Sequence, residues 1–99
     1  MKKILIIGGS GFIGNKLYKE LNKFYKTFST YNSSEKNRKN HQFIYFQMEE
    51  LNLSLILNKI KPSIIISSLR GDFYLQLITH RGIYNYVKKN ICKIIFLSS

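Results

Sequence analysis

The chain has 99 residues, which is enough for one domain with one modest core and excludes a two-domain enzyme. Hydrophobic residues make up 44% of the sequence and occur in short periodic runs, as in a folded globular protein and unlike a disordered chain. No apolar run is long enough to span a bilayer, and the first one stops at Gly8, too early for a signal peptide. We therefore expect a cytoplasmic protein without a membrane segment.

The formal net charge of +11 raises nucleic-acid binding as an interpretation. Lysine is spread over the whole chain, together with many Ile, Asn, Tyr and Phe residues, and no predicted helix carries a concentrated basic stripe. We interpret the charge as solvated surface and do not expect a nucleic-acid partner. Cys92 is the single cysteine, and His41 and His80 have no neighbouring ligand pattern, so we expect no disulfide and no metal site, with His80 on a helix surface.

Strands alternate with helices along the chain. Apolar segments predict five strands, over residues 3–7, 25–31, 43–47, 63–67 and 93–97. Helical spacing of apolar residues predicts three helices between them, over about residues 11–23, 53–60 and 72–90. The buried faces of these helices are predicted to carry, in chain order, Ile13, Leu17 and Leu21, then Leu53, Ile56, Leu57 and Ile60, then Phe73, Leu77, Tyr84 and Val87. This alternation predicts an α/β protein with a parallel sheet.

A glycine-rich turn joins the first strand to the first helix. It reads Gly8, Gly9, Ser10, Gly11, Phe12, Ile13, Gly14. Glycine permits the required backbone angles, lets the chain approach a pyrophosphate with no side chain between, and lets the helix pack tightly on the strand. The free N–H groups of the helix N-terminus then face the anion. A flexible turn without a ligand is the alternative, but the position between strand and helix favours a dinucleotide-binding turn.

The same residues carry a family resemblance. The spacing of Gly8, Gly11 and Gly14 resembles that of short-chain dehydrogenases/reductases, and residues 11–14 resemble the extended branch of that superfamily, which acts largely on nucleotide sugars. Residues 61–66 and 94–99 look like its fourth and fifth strands; Ile7 departs from the threonine that commonly precedes the first glycine. Residues 30–33 resemble the short loop of sugar-nucleotide reductases of the dTDP-4-dehydrorhamnose reductase type.

The resemblance implies a Rossmann-like, doubly wound parallel sheet of order 3-2-1-4-5, which is incomplete. It places Gln47 and Met48 beside an adenine, and Ser67, Ser68 and Leu69 where the chain passes the cofactor.

The preferred cofactor depends on the end of the second strand, where an acidic residue would bind the ribose 2′-hydroxyl of NAD. None is present at Asn32. Ser33, Lys36 and Arg38 follow, and their hydroxyl and cationic groups suit a 2′-phosphate, so NADP is expected in preference to NAD. Glu35 in the same loop is the alternative contact, to the ribose of NAD.

The catalytic pattern of the resembling reductases is a Tyr-x-x-x-Lys motif on the helix after the fifth strand, with a Ser or Thr that orients the substrate. Tyr84 and Lys88 match the spacing but precede the fifth strand, so we expect Tyr84 to face the core and Lys88 to be solvated. Ser99 is near the position of the orienting hydroxyl. We therefore expect residues 1–99 to be an NAD(P)-binding Rossmann domain of a sugar-nucleotide oxidoreductase, truncated before the catalytic helix, without a substrate domain and inactive alone.

Two other functions stay open. One is a non-catalytic dinucleotide-binding module that senses redox state or docks on a partner, and the other is the nucleic-acid binder considered above. The fifth strand would form a sheet edge with an apolar row at residues 94–97, so we also expect a homo-oligomer or a complementary polypeptide at that edge.

Overall fold

The alternating apolar segments form strands and helices in the predicted order. A computed structural model describes residues 2–8, 12–31, 42–45, 53–68 and 73–97. The strands are β1 (Lys3–Ile7), β2 (Lys26–Tyr31), β3 (Phe43–Tyr45), β4 (Ile64–Ser67) and β5 (Lys93–Phe96). The helices are α1 (Phe12–Leu21), α2 (Leu53–Ile60) and α3 (Phe73–Lys89).

Helix α1 ends two positions before the predicted boundary at Lys23. The backbone N–H groups of Phe24 and Tyr25 both donate to the carbonyl of Leu21, at 3.0 and 2.9 Å, and this turn closes the helix. Helix α2 ends at Ile60, as Pro62 predicts. Lys61, between the helix end and Pro62, has a φ of 53°. The predicted end of the third strand, including Gln47, lies outside the described residues.

The five strands form one parallel sheet in the order β3-β2-β1-β4-β5, as predicted. Strand β1 is central, with Leu5 opposite Phe28 on one side and Ile65 on the other. Because helices cover both faces of a parallel sheet, its central strand must be apolar on both sides. Ile4 to Ile7 meet this requirement, since none is more than 2% exposed.

Alternate residues of the sheet pack into two cores. Leu5, Ile7 and Ile65 face α2 and α3, where they pack with Ile83 and the apolar stripe of α2. Ile4, Ile6 and Ile66 face the opposite side and pack with Tyr18 of α1. Helices on both faces make this a doubly wound, Rossmann-like α/β fold, as predicted.

The predicted buried face of α3 is wrong at two positions. Leu77 is 46% exposed and Tyr84 is 59% exposed, whereas Thr79 and Ile83 are 3% and 0% exposed. Two stripes with the same helical period run along this helix, and the one containing Ile83 packs against α2 and the sheet. Tyr84 therefore faces solvent, where the Lys88 ammonium lies 5.4 Å from the centre of its ring.

Strand β5 leaves part of its apolar row uncovered. Ile95 and Phe96 are 46% and 55% exposed, while Ile94 and Leu97 pack partly against the two cores. Within the described ranges, no helix is long and apolar enough to cross a membrane.

Candidate functional site

The candidate site lies at the carboxyl edge of the sheet, where β1 and β4 end side by side. From β1 the chain builds the sheet towards β2 and β3, and then returns to add β4 and β5 on the other side. Open parallel sheets bind ligands in the crevice at such a reversal of strand order. Gly8 follows β1 and Ser68 follows β4, so these two residues lie at that reversal.

Gly8 adopts a backbone conformation that only glycine reaches without strain. Its φ is +91°, and a Cβ built on it would lie 2.9 Å from the carbonyl oxygen of Ser68. Its N–H donates to Thr30 Oγ1 at 2.8 Å, so the turn is also held by β2. The φ of Gly8 is thus of the kind for which the motif requires glycine, and its close neighbour is the backbone of Ser68.

Ser68 fastens the end of β4 to the same turn. Its N–H donates to the carbonyl of Ile7 at 2.9 Å, and its Oγ lies 3.3 Å from that oxygen and 3.2 Å from the carbonyl oxygen of Gly8. These contacts hold the ends of β1 and β4 in a fixed register. Thr30 completes the arrangement and was not singled out as a binding residue; its signal in the sequence is a hydroxyl near the end of a buried strand.

Helix α1 begins immediately beyond the turn. Phe12, Ile13 and Gly14 form its first turn, and Gly14 is buried. The first N–H groups of a helix have no acceptor within the helix and carry a partial positive charge, so they attract anions. The carboxyl edge thus combines the close approach of Gly8 to Ser68 with the backbone donors at the start of α1.

Ser67, the last residue of β4, contacts a side chain from α3. Its Oγ lies 2.9 Å from His80 Nε2, and the imidazole packs edge-on against Phe96 with ring centres 4.8 Å apart. His80 therefore bridges three elements, which corrects the expectation of a helix-surface residue. Burial lowers the pKa of His80, so the neutral imidazole is favoured. Ser67 is 2% exposed, which leaves its hydroxyl no access to a substrate and argues against a nucleophilic role.

Most other predicted site residues lie outside the described residues. These are Gly9, Ser10, Gly11, Asn32, Ser33, Lys36, Arg38, Gln47, Met48, Leu69 and Ser99. Within the described part of the chain, no group of three or more His, Cys, Asp or Glu residues could hold a metal ion.

Comparison with solved structures identifies the architecture. The chain matches L-threonine dehydrogenase from Clostridium difficile over 100% of its own length and 37% of that protein's, with 25% identity and a TM-score of 0.79. It matches L-threonine 3-dehydrogenase from Trypanosoma brucei with 15% identity and a TM-score of 0.78, over 100% of this chain and 37% of that one. These matches show that the fold is Rossmann-like.

A third match is dTDP-glucose 4,6-dehydratase from Bacillus anthracis, solved in complex with NAD. It has 14% identity and a TM-score of 0.75, over 100% of this chain and 38% of that one. The chain thus spans between a third and two fifths of the length of these three proteins. No protein-family model matches the sequence, and no curated protein is similar enough to count as a relative.

Proposed function

We propose that this chain is the NAD(P)-binding part of a sugar-nucleotide oxidoreductase of the extended short-chain dehydrogenase/reductase type, acting in the cytoplasm. The observation that carries the proposal is the close approach of Gly8 to Ser68 at the reversal of strand order. A dinucleotide pyrophosphate requires a glycine turn that leads from a strand into a helix N-terminus. The shared architecture with two dehydrogenases and a dehydratase supports it.

The chain's own residues have distinct roles in this proposal. Gly8 lets the backbone reach the ligand, and the N–H groups at the start of α1 donate to its phosphates. Gly9, Ser10 and Gly11 continue the phosphate contact. Ser68 and Leu69 are proposed to form the opposite side of the crevice, and Ser67, which is buried behind them, supports their position. When bound, the dinucleotide supplies the hydride acceptor or donor of the reaction.

Gln47 and Met48 are proposed to contact the adenine. The preference for NADP rests on the loop after β2, where Asn32, Ser33, Lys36 and Arg38 offer donors and cations to a 2′-phosphate.

We assign no catalytic residue within this chain. Tyr84 and Lys88 have the spacing of a catalytic pair, but both are exposed on α3, which reaches the sheet through its other face. The proton donor is proposed to come from residues beyond these 99 positions, on the same chain or on a complementary one, with Ser99 next to the substrate.

Titration with NADPH, followed by its fluorescence, tests dinucleotide binding. Gly11→Val would place a branched side chain in the proposed phosphate contact and should abolish binding. Gly82→Ala is the matched control, because a Cβ at this helical glycine of α3 would meet only the flexible end of Leu53, at 3.1 Å. The control should bind as wild type does. If wild type and Gly11→Val bind NADPH with equal affinity, the turn does not contact the ligand and the proposal is overturned.

The cofactor preference needs its own comparison. NADPH should bind more tightly than NADH, and replacing Lys36 and Arg38 together with alanine should erase most of the difference, because a 2′-phosphate is bound largely through cations. Replacing Lys23 and Lys26, at the opposite edge of the sheet, controls for the loss of positive charge. Tighter binding of NADH by wild type would contradict the preference and point to Glu35.

A further inference from the structure

The contact between Ser67 and His80 joins helix α3 to the strand that forms one side of the proposed binding crevice. Ser67 is 2% exposed, and its hydroxyl lies 2.9 Å from His80 Nε2. A buried hydroxyl without a partner is costly, and His80 Nε2 supplies a partner for the hydroxyl of Ser67. The edge-on packing against Phe96 then fixes the plane of the imidazole ring.

A short series of contacts connects His80 to the glycine turn. Ser67 lies opposite Ile7 in the register of β4 and β1. The next residue, Ser68, donates its N–H to Ile7 and comes within 2.9 Å of the Cβ position of Gly8. A displacement of Ser67 should therefore also displace Gly8, because the backbone between them is close-packed.

We propose that His80 is a positioning residue for the dinucleotide site, acting through Ser67 on the turn at Gly8. This inference rests on the proposed function, since it assigns a role at the same site. His80 holds the end of β4 in the register that sets Ser68 against Gly8. Its side chain does not touch the ligand.

Four variants separate positioning from general packing, and one of them is Ser67→Ala alone. His80→Leu removes the polar partner of Ser67. His80→Gln keeps a polar atom where Nε2 lies and should restore the contact. Ser67→Ala with His80→Leu removes both polar groups, so the double variant should lose less than the two single effects combined. Asn85→Ala, an exposed substitution on the same helix, is the control.

Two measurements decide the proposal. In the free protein, the amide resonance of Gly8 should shift in His80→Leu and return towards its wild-type position in His80→Gln. In NADPH titrations, His80→Leu should raise Kd about 3- to 10-fold, His80→Gln should remain within about twofold of wild type, and Asn85→Ala should not differ from it.

The two readouts distinguish the failure of this proposal from the failure of the proposed function. If wild type binds no NADPH, the proposed function fails, and the Gly8 resonance still reports whether His80 positions the turn. An unshifted Gly8 resonance in His80→Leu, with unchanged NADPH affinity, would overturn the proposal. If His80→Leu does not fold, Ser67→Ala tests the proposal instead, because it deletes only one hydroxyl. The Gly8 amide resonance should also shift in Ser67→Ala, and an unshifted resonance would overturn the proposal.

Discussion

Gly8→Ala should strongly destabilise the fold, because two penalties coincide at this position. A φ of +91° is unfavourable for an L side chain by about 1–2 kcal/mol. The added methyl group would also lie 2.9 Å from the carbonyl oxygen of Ser68, which is backbone and cannot rotate away. Overpacking of this kind costs about 1–3 kcal/mol. We therefore expect the free energy of unfolding to fall by about 2–5 kcal/mol, a large part of what a small domain possesses.

Urea denaturation followed by circular dichroism measures this loss, with the slope of the transition compared between variants. Gly82→Ala serves again as the matched glycine control and should change the free energy of unfolding by no more than about 1 kcal/mol, since alanine is the better helix former. If Gly8→Ala unfolds within about 0.5 kcal/mol of wild type, the turn is not held against β4 as described, and the geometric basis of the site is refuted.

Three further perturbations test neighbouring parts of the structure. Thr30→Val should lower the free energy of unfolding by about 1–3 kcal/mol in urea, because Gly8 N–H loses its acceptor, whereas Thr30→Ser should retain it. Burial lowers the pKa of His80 from 6.5 in the folded state. The free energy of unfolding should therefore be highest above pH 6.5 and should fall as the pH drops through the folded-state pKa. If His80→Gln shows the same fall, groups other than His80 cause it. Light scattering should show that the wild-type protein self-associates through the β5 edge and that Ile95→Lys reduces this association. A monomeric wild-type protein would contradict that expectation.

The architecture was predictable because its central elements have unambiguous patterns. Ile4 to Ile7 form an unbroken apolar run, which fits only a strand covered on both faces. Leu53, Ile56, Leu57 and Ile60 form a single helical stripe, and all four are buried. The unusual backbone angle of Gly8 was predictable from the glycine motif, whereas its approach to Ser68 results from the pairing of β1 with β4.

The orientation of α3 and the partner of Ser67 were not predictable. Leu77 and Tyr84 satisfy the helical period as well as Thr79 and Ile83 do, and only the packing against α2 selects between the two stripes. His80 follows Ser67 by 13 residues in the chain, and no local pattern indicates that a strand end and a helix will meet there. Such contacts are decided by tertiary packing, which a short sequence window does not contain.

Mapping the bound ligand onto the backbone tests the central claim most directly. NADPH is titrated into ¹⁵N-labelled protein, and the backbone amide resonances are followed by NMR. We predict that the largest shifts occur at Gly8, Ser68 and the first residues of α1, while Asn22 and Phe24, at the opposite edge of the sheet, stay unchanged. Shifts confined to that opposite edge, or none at millimolar NADPH, would contradict the assignment of the carboxyl edge as a dinucleotide-binding site.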